Sequence, residues 1–257
     1  MWWIEATLTG LVPALAGGLV GLVLGNLRWP LVLGLLAGNA TLAAGTNLAV
    51  STVSAVGGTY KHVREGRFDG SLFVWLGGAA VVGGFVGSFL TRALPAAALL
   101  GLIAALLLYE GTRMLRASSA PEAAALGERG WGRPWRRHLA AMLIGFVIGV
   151  LSGMVGMLLG SLRLPAMIRW LGVDTRTAVG TNMAIGLVGG LAATTGHLAQ
   201  KQVALLPLVV VGLAALLGSY LGAHFTGRLP LPTLKRAIGA VLLGVGALLA
   251  GLAWQGY

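Results

Sequence analysis

Residues 25–30 read Gly25-Asn26-Leu27-Arg28-Trp29-Pro30, and residues 160–165 read Gly160-Ser161-Leu162-Arg163-Leu164-Pro165. The two stretches lie 135 positions apart. The same offset, with no gap, pairs Gly45-Thr46-Asn47 with Gly180-Thr181-Asn182, His62 with His197, and Leu94-Pro95 with Leu229-Pro230. Between 16 and 47, thirteen of thirty-two positions equal their partners; composition alone gives roughly four, so the chain is one unit of about 100 residues used twice.

Most of that unit is apolar enough to sit in a bilayer. The 257 residues are 57% hydrophobic and only 10% charged, with 42 glycines. A soluble domain carries about 25% charged residues, so most of this surface faces lipid. Glycines let membrane helices approach closely. The chain has no cysteine, which excludes disulfides, thiolate zinc sites, iron–sulfur clusters and a cysteine nucleophile. The +11 charge lies in short loops between apolar runs, a distribution that fits the positive-inside bias better than nucleic acid. Met1–Glu5 has no basic n-region and the first apolar run belongs to the repeat, so no cleavable leader is expected.

The long apolar runs are 7–26, 42–59, 72–91, 95–112, 139–160, 178–199, 203–226 and 232–253. Each is close to the roughly 20 residues of a spanning helix. Two short runs, 30–38 and 165–171, follow the Arg-x-Pro elements, and proline suits the first turn of a helix. Each half therefore reads as a helix, a sharp break, a short helix, and three more spans. The fold class is an all-α polytopic membrane protein, with a first repeat over 7–112, a linker over 113–138 and a second repeat over 139–253. The linker carries Arg113, Arg116, Arg129, Arg133, Arg136 and Arg137 against Glu122 and Glu128, which makes it cytoplasmic. Counting from it places loop 60–71 inside, loop 92–95 outside, loop 199–203 outside and loop 227–236 inside. Equivalent loops fall on opposite sides, so the repeats are expected to be inverted, with both termini outside. Two homologous membrane halves in one chain are the sequence mark of a secondary transporter, with the site between the halves.

The candidate residues follow from that placement. A guanidinium at the bilayer centre costs about 3 kcal/mol on insertion scales, so it needs a reason. Arg28 and Arg163 each stand at a break, beside the N–H groups of a short helix whose dipole favours an anion. A guanidinium matches a sulfonate, sulfite or carboxylate by paired hydrogen bonds. Equally open is that both arginines snorkel to headgroups. Asn26 and Ser161 flank them, and Gly25, Pro30, Gly160 and Pro165 mark the breaks. Thr46-Asn47 and Thr181-Asn182 sit inside apolar spans; they either touch substrate, hold a broken helix open, or join helices. His62 and His197 end those spans, where they gate, carry protons or cap helices.

The seven carboxylates are Glu5, Glu65, Asp69, Glu110, Glu122, Glu128 and Asp174. None stands mid-span, so a carboxylate proton relay is not expected, nor is a divalent-metal path. No G-x-x-x-x-G-K-[ST] sequence is present, which argues against ATP hydrolysis. No Ser-His-Asp set shares one depth, so no catalytic residue, cofactor or metal is assigned.

Together these elements resemble the sulfite exporter TauE/SafE family, also known as the toluenesulfonate uptake permease family. Its pattern is G-x-G-G-G-x-x-x-x-P opening each half, then a G-T-[NS] span, then a span end H-x-x-x-G-x-x-D. Here the openings are Gly21 to Pro30 and Gly156 to Pro165, both G-T-N triplets are present, and His62, Gly66 and Asp69 match the span end. In the second half only His197 remains of it. The middle glycines are leucine or valine, and the arginine before the proline is not part of the pattern. The resemblance implies transport of a sulfur-containing anion in the bacterial inner membrane. The expected partners are a small anion such as sulfite or an organosulfonate such as sulfoacetate, the lipid bilayer and a second copy of the chain. An anion channel, and a non-transport assembly factor or intramembrane enzyme, are the rival readings.

Overall fold

A computed structural model describes residues 2–36, 40–89, 96–116, 134–155, 159–199 and 201–254. Most of the linker, the loop at 92–95, residues 156–158 and the side chains of Asn26 and Pro30 lie outside the described residues. Every described element is a helix. In the first half they are α1 (Trp2–Val20), α2 (Gly25–Leu35), α3 (Ala40–Arg64), α4 (Gly70–Leu72), a π-helical segment (Phe73–Gly77), α5 (Gly78–Phe89) and α6 (Ala96–Arg116). The second half has α7 (Pro134–Val155), α8 (Gly160–Arg169), α9 (Thr175–Ala199), α10 (Leu205–Thr226) and α11 (Leu231–Trp254). With α4, the π segment and α5 taken as one rod, each half has four long rods and one short helix. Among the described residues, five helices are by themselves long and apolar enough to cross a membrane. Their outward faces are apolar: Leu8, Leu143, Leu191, Leu213 and Trp254 are all well exposed. Such a surface belongs in lipid, and the chain is a multi-pass membrane protein.

The short helices begin earlier than the sequence suggests. α2 starts at Gly25 and α8 at Gly160, so Arg28 and Arg163 are fourth in their helices and Pro30 and Pro165 sixth. The break comes before the glycine, in residues 21–24 of the first half, which are not helical. Gly21 has φ +69, and a Cβ there would strike the Val179 backbone. Only glycine meets both conditions. Pro165 lies inside α8, where it cannot donate to the Ser161 carbonyl.

The chain divides into two compact units that interleave the sequence halves. The first comprises Met1–Phe68 and Val179–Arg228, and the second Asp69–Ala178 and Leu229–Tyr257. In the first unit α1 packs along α10 with backbones nearly touching. Gly10 faces Val211, Gly18 faces Ser219, and Gly218 faces Leu11, so the two helices run parallel. In the second unit α7 packs along the π segment and α5 in the same way. Gly145 faces Leu76, Gly149 faces Ala80, and Gly83 faces Phe146. The offset of 135 converts the Gly10–Val211 contact into Gly145–Leu76, and Gly218–Leu11 into Gly83–Phe146. Also in the second unit, α6 and α11 lie antiparallel, with Gly111 against Leu243 and Gly246 against Leu108. Those two contacts exchange under the same offset.

Candidate binding site

The first unit holds the broken turn around Arg28. The last carbonyls of α1 would be orphans where the helix stops. Leu22 N–H donates to the Gly17 carbonyl (2.8 Å), His62 through Nε2 to the Gly18 carbonyl (3.1 Å), and Thr226 Oγ1 to the Leu19 carbonyl (2.8 Å). Beyond the turn, Asn182 Nδ2 donates to the Gly21 carbonyl (2.7 Å) and Asn47 Nδ2 to the Gly25 carbonyl (3.0 Å). Non-helical backbone at membrane depth needs such partners. The two asparagines thus bond one carbonyl on each side of the non-helical residues 22–24.

Asn47 also accepts from Arg28. Its Oδ1 takes the Nε–H at 3.0 Å, while Nη2 donates to Ser51 Oγ at 2.7 Å. The Ser51 hydroxyl donates its own hydrogen bond to the Asn47 backbone carbonyl at 2.8 Å, so its oxygen presents lone pairs to the guanidinium. Arg28 is 1% exposed. Its described acceptors are neutral, and no carboxylate pairs with it among the described residues. A Cβ at Gly25 would come within 2.7 Å of Ser51 Oγ, so a side chain there would displace the hydroxyl that serves Arg28.

The other candidates of this unit sit at span ends. Thr46 Oγ1 accepts from the Ala204 N–H at 2.9 Å, at the start of α10, where Ala204 itself supplies no side-chain cap. Thr181 is fully buried. Gly45 faces the Gln202 carbonyl and Gly180 the Arg67 carbonyl, another pair that exchanges under the offset. His62 is fully buried, whereas His197 is half-buried and donates through Nδ1 to Gln202 Oε1 at 2.8 Å. The span end that follows His62 turns on Gly66 (φ +71), with Gly66 N–H bonded to Val63 O and Arg67 N–H to His62 O. Asp69 Oδ1 then caps α4 through the Leu72 N–H at 3.0 Å.

The second unit holds the turn around Arg163. α8 is buried from Gly160 to Ile168, including Ser161 and Arg163. Leu159 gives its N-terminus no side-chain cap. Its C-terminal end is fastened by Arg169, whose Nη1 lies 2.5 Å from Glu110 Oε2 on α6.

Three participants escaped the sequence reading. Ser51 follows Asn47 by one helical turn, a spacing that could have revealed it. Arg67, buried and bonded from Nη2 to the Ala223 carbonyl at 2.8 Å, stands inside the span-end pattern as an unremarkable x. Glu110–Arg169 had no signal, because its members are 59 residues apart on unrelated elements.

The family model described as sulfite exporter TauE/SafE matches residues 6–249. A Bacillus subtilis (strain 168) protein named "Probable membrane transporter protein YdhB" is 32% identical over 200 residues, covering 76% of this chain and 79% of its own. No solved structure matches the chain.

Proposed function

The chain belongs to the sulfite exporter TauE/SafE family, and from that premise we propose that it is a secondary transporter of a small sulfur-containing anion, sulfite or an organosulfonate. The carrying observation is Arg28: a buried cation tied only to neutral acceptors among the described residues. A buried charge is costly unless paired, and a substrate anion supplies the missing sign. Asn47 and Ser51 fix the plane of the guanidinium, so that its donors are arranged before the anion arrives. The first-turn N–H groups of α2 add a partial positive charge. Arg163 and Ser161 provide the corresponding donors at the start of α8. Thr46, Asn47, Thr181 and Asn182 shape the site around the anion.

The antiparallel pairing of the equivalent helices α6 and α11 supports repeats inverted in the membrane. In this reading the linker is cytoplasmic, both termini lie outside, and alternating access proceeds by rocking one repeat against the other in the inner membrane. His62 and His197 then stand at span ends on opposite faces, the positions of a gate on each side.

Binding to the purified protein in detergent tests the assignment. Calorimetry with sulfite, sulfoacetate, thiosulfate, sulfate and acetate should select a sulfur anion. Arg28→Ala and Arg163→Ala should each weaken binding roughly tenfold to hundredfold, as expected for lost hydrogen bonds to a charged group, with helical content unchanged. Parent-like binding by both variants would overturn the assignment. Counterflow in vesicles separates a carrier from a channel: trapped substrate accelerates uptake only in a carrier.

A further inference from the structure

The sequence carries a Tyr-x-x-x-Arg element at two span ends, and the structure gives both the same geometry. Arg64 Nη1 donates to the Tyr60 hydroxyl at 3.0 Å, with its guanidinium carbon 5.9 Å from the ring centre. Arg113 Nη1 donates to the Tyr109 hydroxyl at 3.0 Å, with its carbon 5.5 Å from that ring. Tyr60 and Tyr109 are each 55% exposed, and both arginines are exposed. Neither arginine has a described carboxylate partner. Around Tyr60 the patch is wider: Tyr220 stacks on it at 6.5 Å, and Lys61 Nζ lies 5.4 Å over the Tyr220 ring. Lys61 shares its charge with Glu65 at 2.6 Å, which leaves Arg64 as the outward cation.

The duplication does not repeat these elements. The positions equivalent to Tyr60 and Arg64 hold Thr195 and Ala199, and those equivalent to Tyr109 and Arg113 hold Gly244 and Leu248. Loop charge puts 60–71 and the 113–138 linker on the cytoplasmic side. Inverted repeats send the equivalent positions to the opposite face, and there the element is missing from both. A one-sided feature in a two-sided repeat answers something present on one side only. Anionic phospholipid of the cytoplasmic leaflet has that asymmetry, and an aromatic ring with a cation held at its rim suits the headgroup level.

We propose that Tyr60–Arg64 and Tyr109–Arg113 are two cytoplasmic-leaflet binding sites for anionic phospholipid headgroups. Each tyrosine parks at the interface and each arginine meets the phosphate. The inference rests on the inverted topology but not on the anion site at Arg28, so the two fail separately: lipid binding is read without substrate.

The test uses the full chain titrated with phosphatidylglycerol or phosphatidylcholine in detergent and read by native mass spectrometry, with a parallel titration of inorganic phosphate. The expected result is selective retention of phosphatidylglycerol, with affinity about fivefold lower at the affected site for each of Arg64→Gln and Arg113→Gln. Helical content and sulfur-anion binding should stay at parent level. Equal retention of the two lipids would overturn the proposal, as would unchanged phosphatidylglycerol binding in the double variant. Inorganic phosphate that competes at equal concentration would overturn it too, since the sites would then read free phosphate rather than lipid. If Arg64→Gln lowers helical content, Arg64→Lys decides: a headgroup site keeps most of its affinity with the charge retained, and loss of lipid selectivity in that folded variant counts against it.

Discussion

The two short helices are equivalent by sequence, and their described contacts differ. Around Arg28 the support is at the start of the short helix: Asn47 and Ser51 reach across from α3 to the guanidinium and to Gly25. The serine of that clamp has no equivalent near Arg163 in sequence, because Gly186 stands where Ser51 would be. The described anchor there is at the far end, in the Arg169–Glu110 pair. The first half in turn has no counterpart of that pair, since Gly34 and Val245 occupy the equivalent positions. Arginine, proline and the G-T-N triplet persist in both halves, while Ser51 and the Glu110–Arg169 pair each stand in one half only.

The largest effect that sharpens this comparison is expected at Glu110. Its side chain and that of Arg169 are only 13% and 19% exposed. Glu110→Gln leaves Arg169 without its counter-charge, and removing one partner from a mostly buried pair costs about 2 kcal/mol or more. Melting of the variant in detergent should fall accordingly, and Arg169→Gln in the same background should restore part of the loss. Val245→Ala, the corresponding site of the first half's register, should behave as a simple core truncation with no rescue of this kind. Equal melting of Glu110→Gln and the parent would break the contrast.

Ser51→Ala comes next. It removes the acceptor of Arg28 Nη2 inside a buried network, which costs about 1–3 kcal/mol. The functional signature separates positioning from packing: sulfur-anion affinity should drop while helical content stays at parent level. Ser51→Thr keeps the hydroxyl and should recover most of the affinity.

A third contrast concerns the span ends. Gly66 and Lys201 are equivalent, and both adopt the left-handed conformation, with φ +71 and +56. Each is followed by the same hydrogen bond, Arg67 N–H to His62 O and Gln202 N–H to His197 O, both 2.9 Å. A lysine there carries strain of about 1 kcal/mol that a glycine does not. Lys201→Gly should therefore raise the melting point, whereas Gly66→Lys should lower it, although a Cβ at Gly66 meets nothing within 4 Å. A fall on Lys201→Gly would mean that the lysine side chain contributes more than its backbone costs.

Much of this was legible in the chain. The 135-residue offset identifies the duplication, the loop charges suggest the inversion, and Gly-x-x-Arg-x-Pro locates the short helices to within a few residues. The start of those helices was not, because Gly21 is one glycine among 42 and only its φ and its approach to Val179 distinguish it. Proline pointed the wrong way: its preference for a first turn is local, whereas burial and the Asn47 bond to Gly25 O set the helix start from outside. Asn47 and Asn182 stood out as polar residues in apolar spans, but which carbonyl each satisfies depends on tertiary approach. The Glu110–Arg169 pair depends on it entirely, and sequence holds no trace of it.

The smallest effect separates the same two span ends by charge. Past α3, Glu65 is bonded to Lys61 and Arg67, both at 2.6 Å, with His224 4.0 Å away, while the equivalent end after His197 carries only Lys201 and Gln202. Partial burial pushes the Glu65 carboxyl up, but the Lys61 hydrogen bond and the charges of Arg67, Lys61 and His224 outweigh it, so the group titrates below the ordinary carboxylate value. A depressed folded value means that the unfolded chain binds the proton more readily. The stabilisation is therefore fully present above the unfolded carboxylate range and lost as pH falls through the folded value. Because the carboxylate is one-third exposed, the gain is about 0.5 kcal/mol or less. Melting of the parent should decline slightly on going from neutral to acid pH, more in low salt than in high. In Glu65→Gln that component should vanish, leaving a flatter profile with a lower plateau at neutral pH. A Gln200→Glu change at the other end, equivalent to Glu65 by the offset, should bring a matching acid sensitivity only if Lys201 can serve it as Arg67 serves Glu65; identical profiles for Gln200→Glu and the parent would assign the effect to the Arg67 network rather than to a carboxylate at a span end.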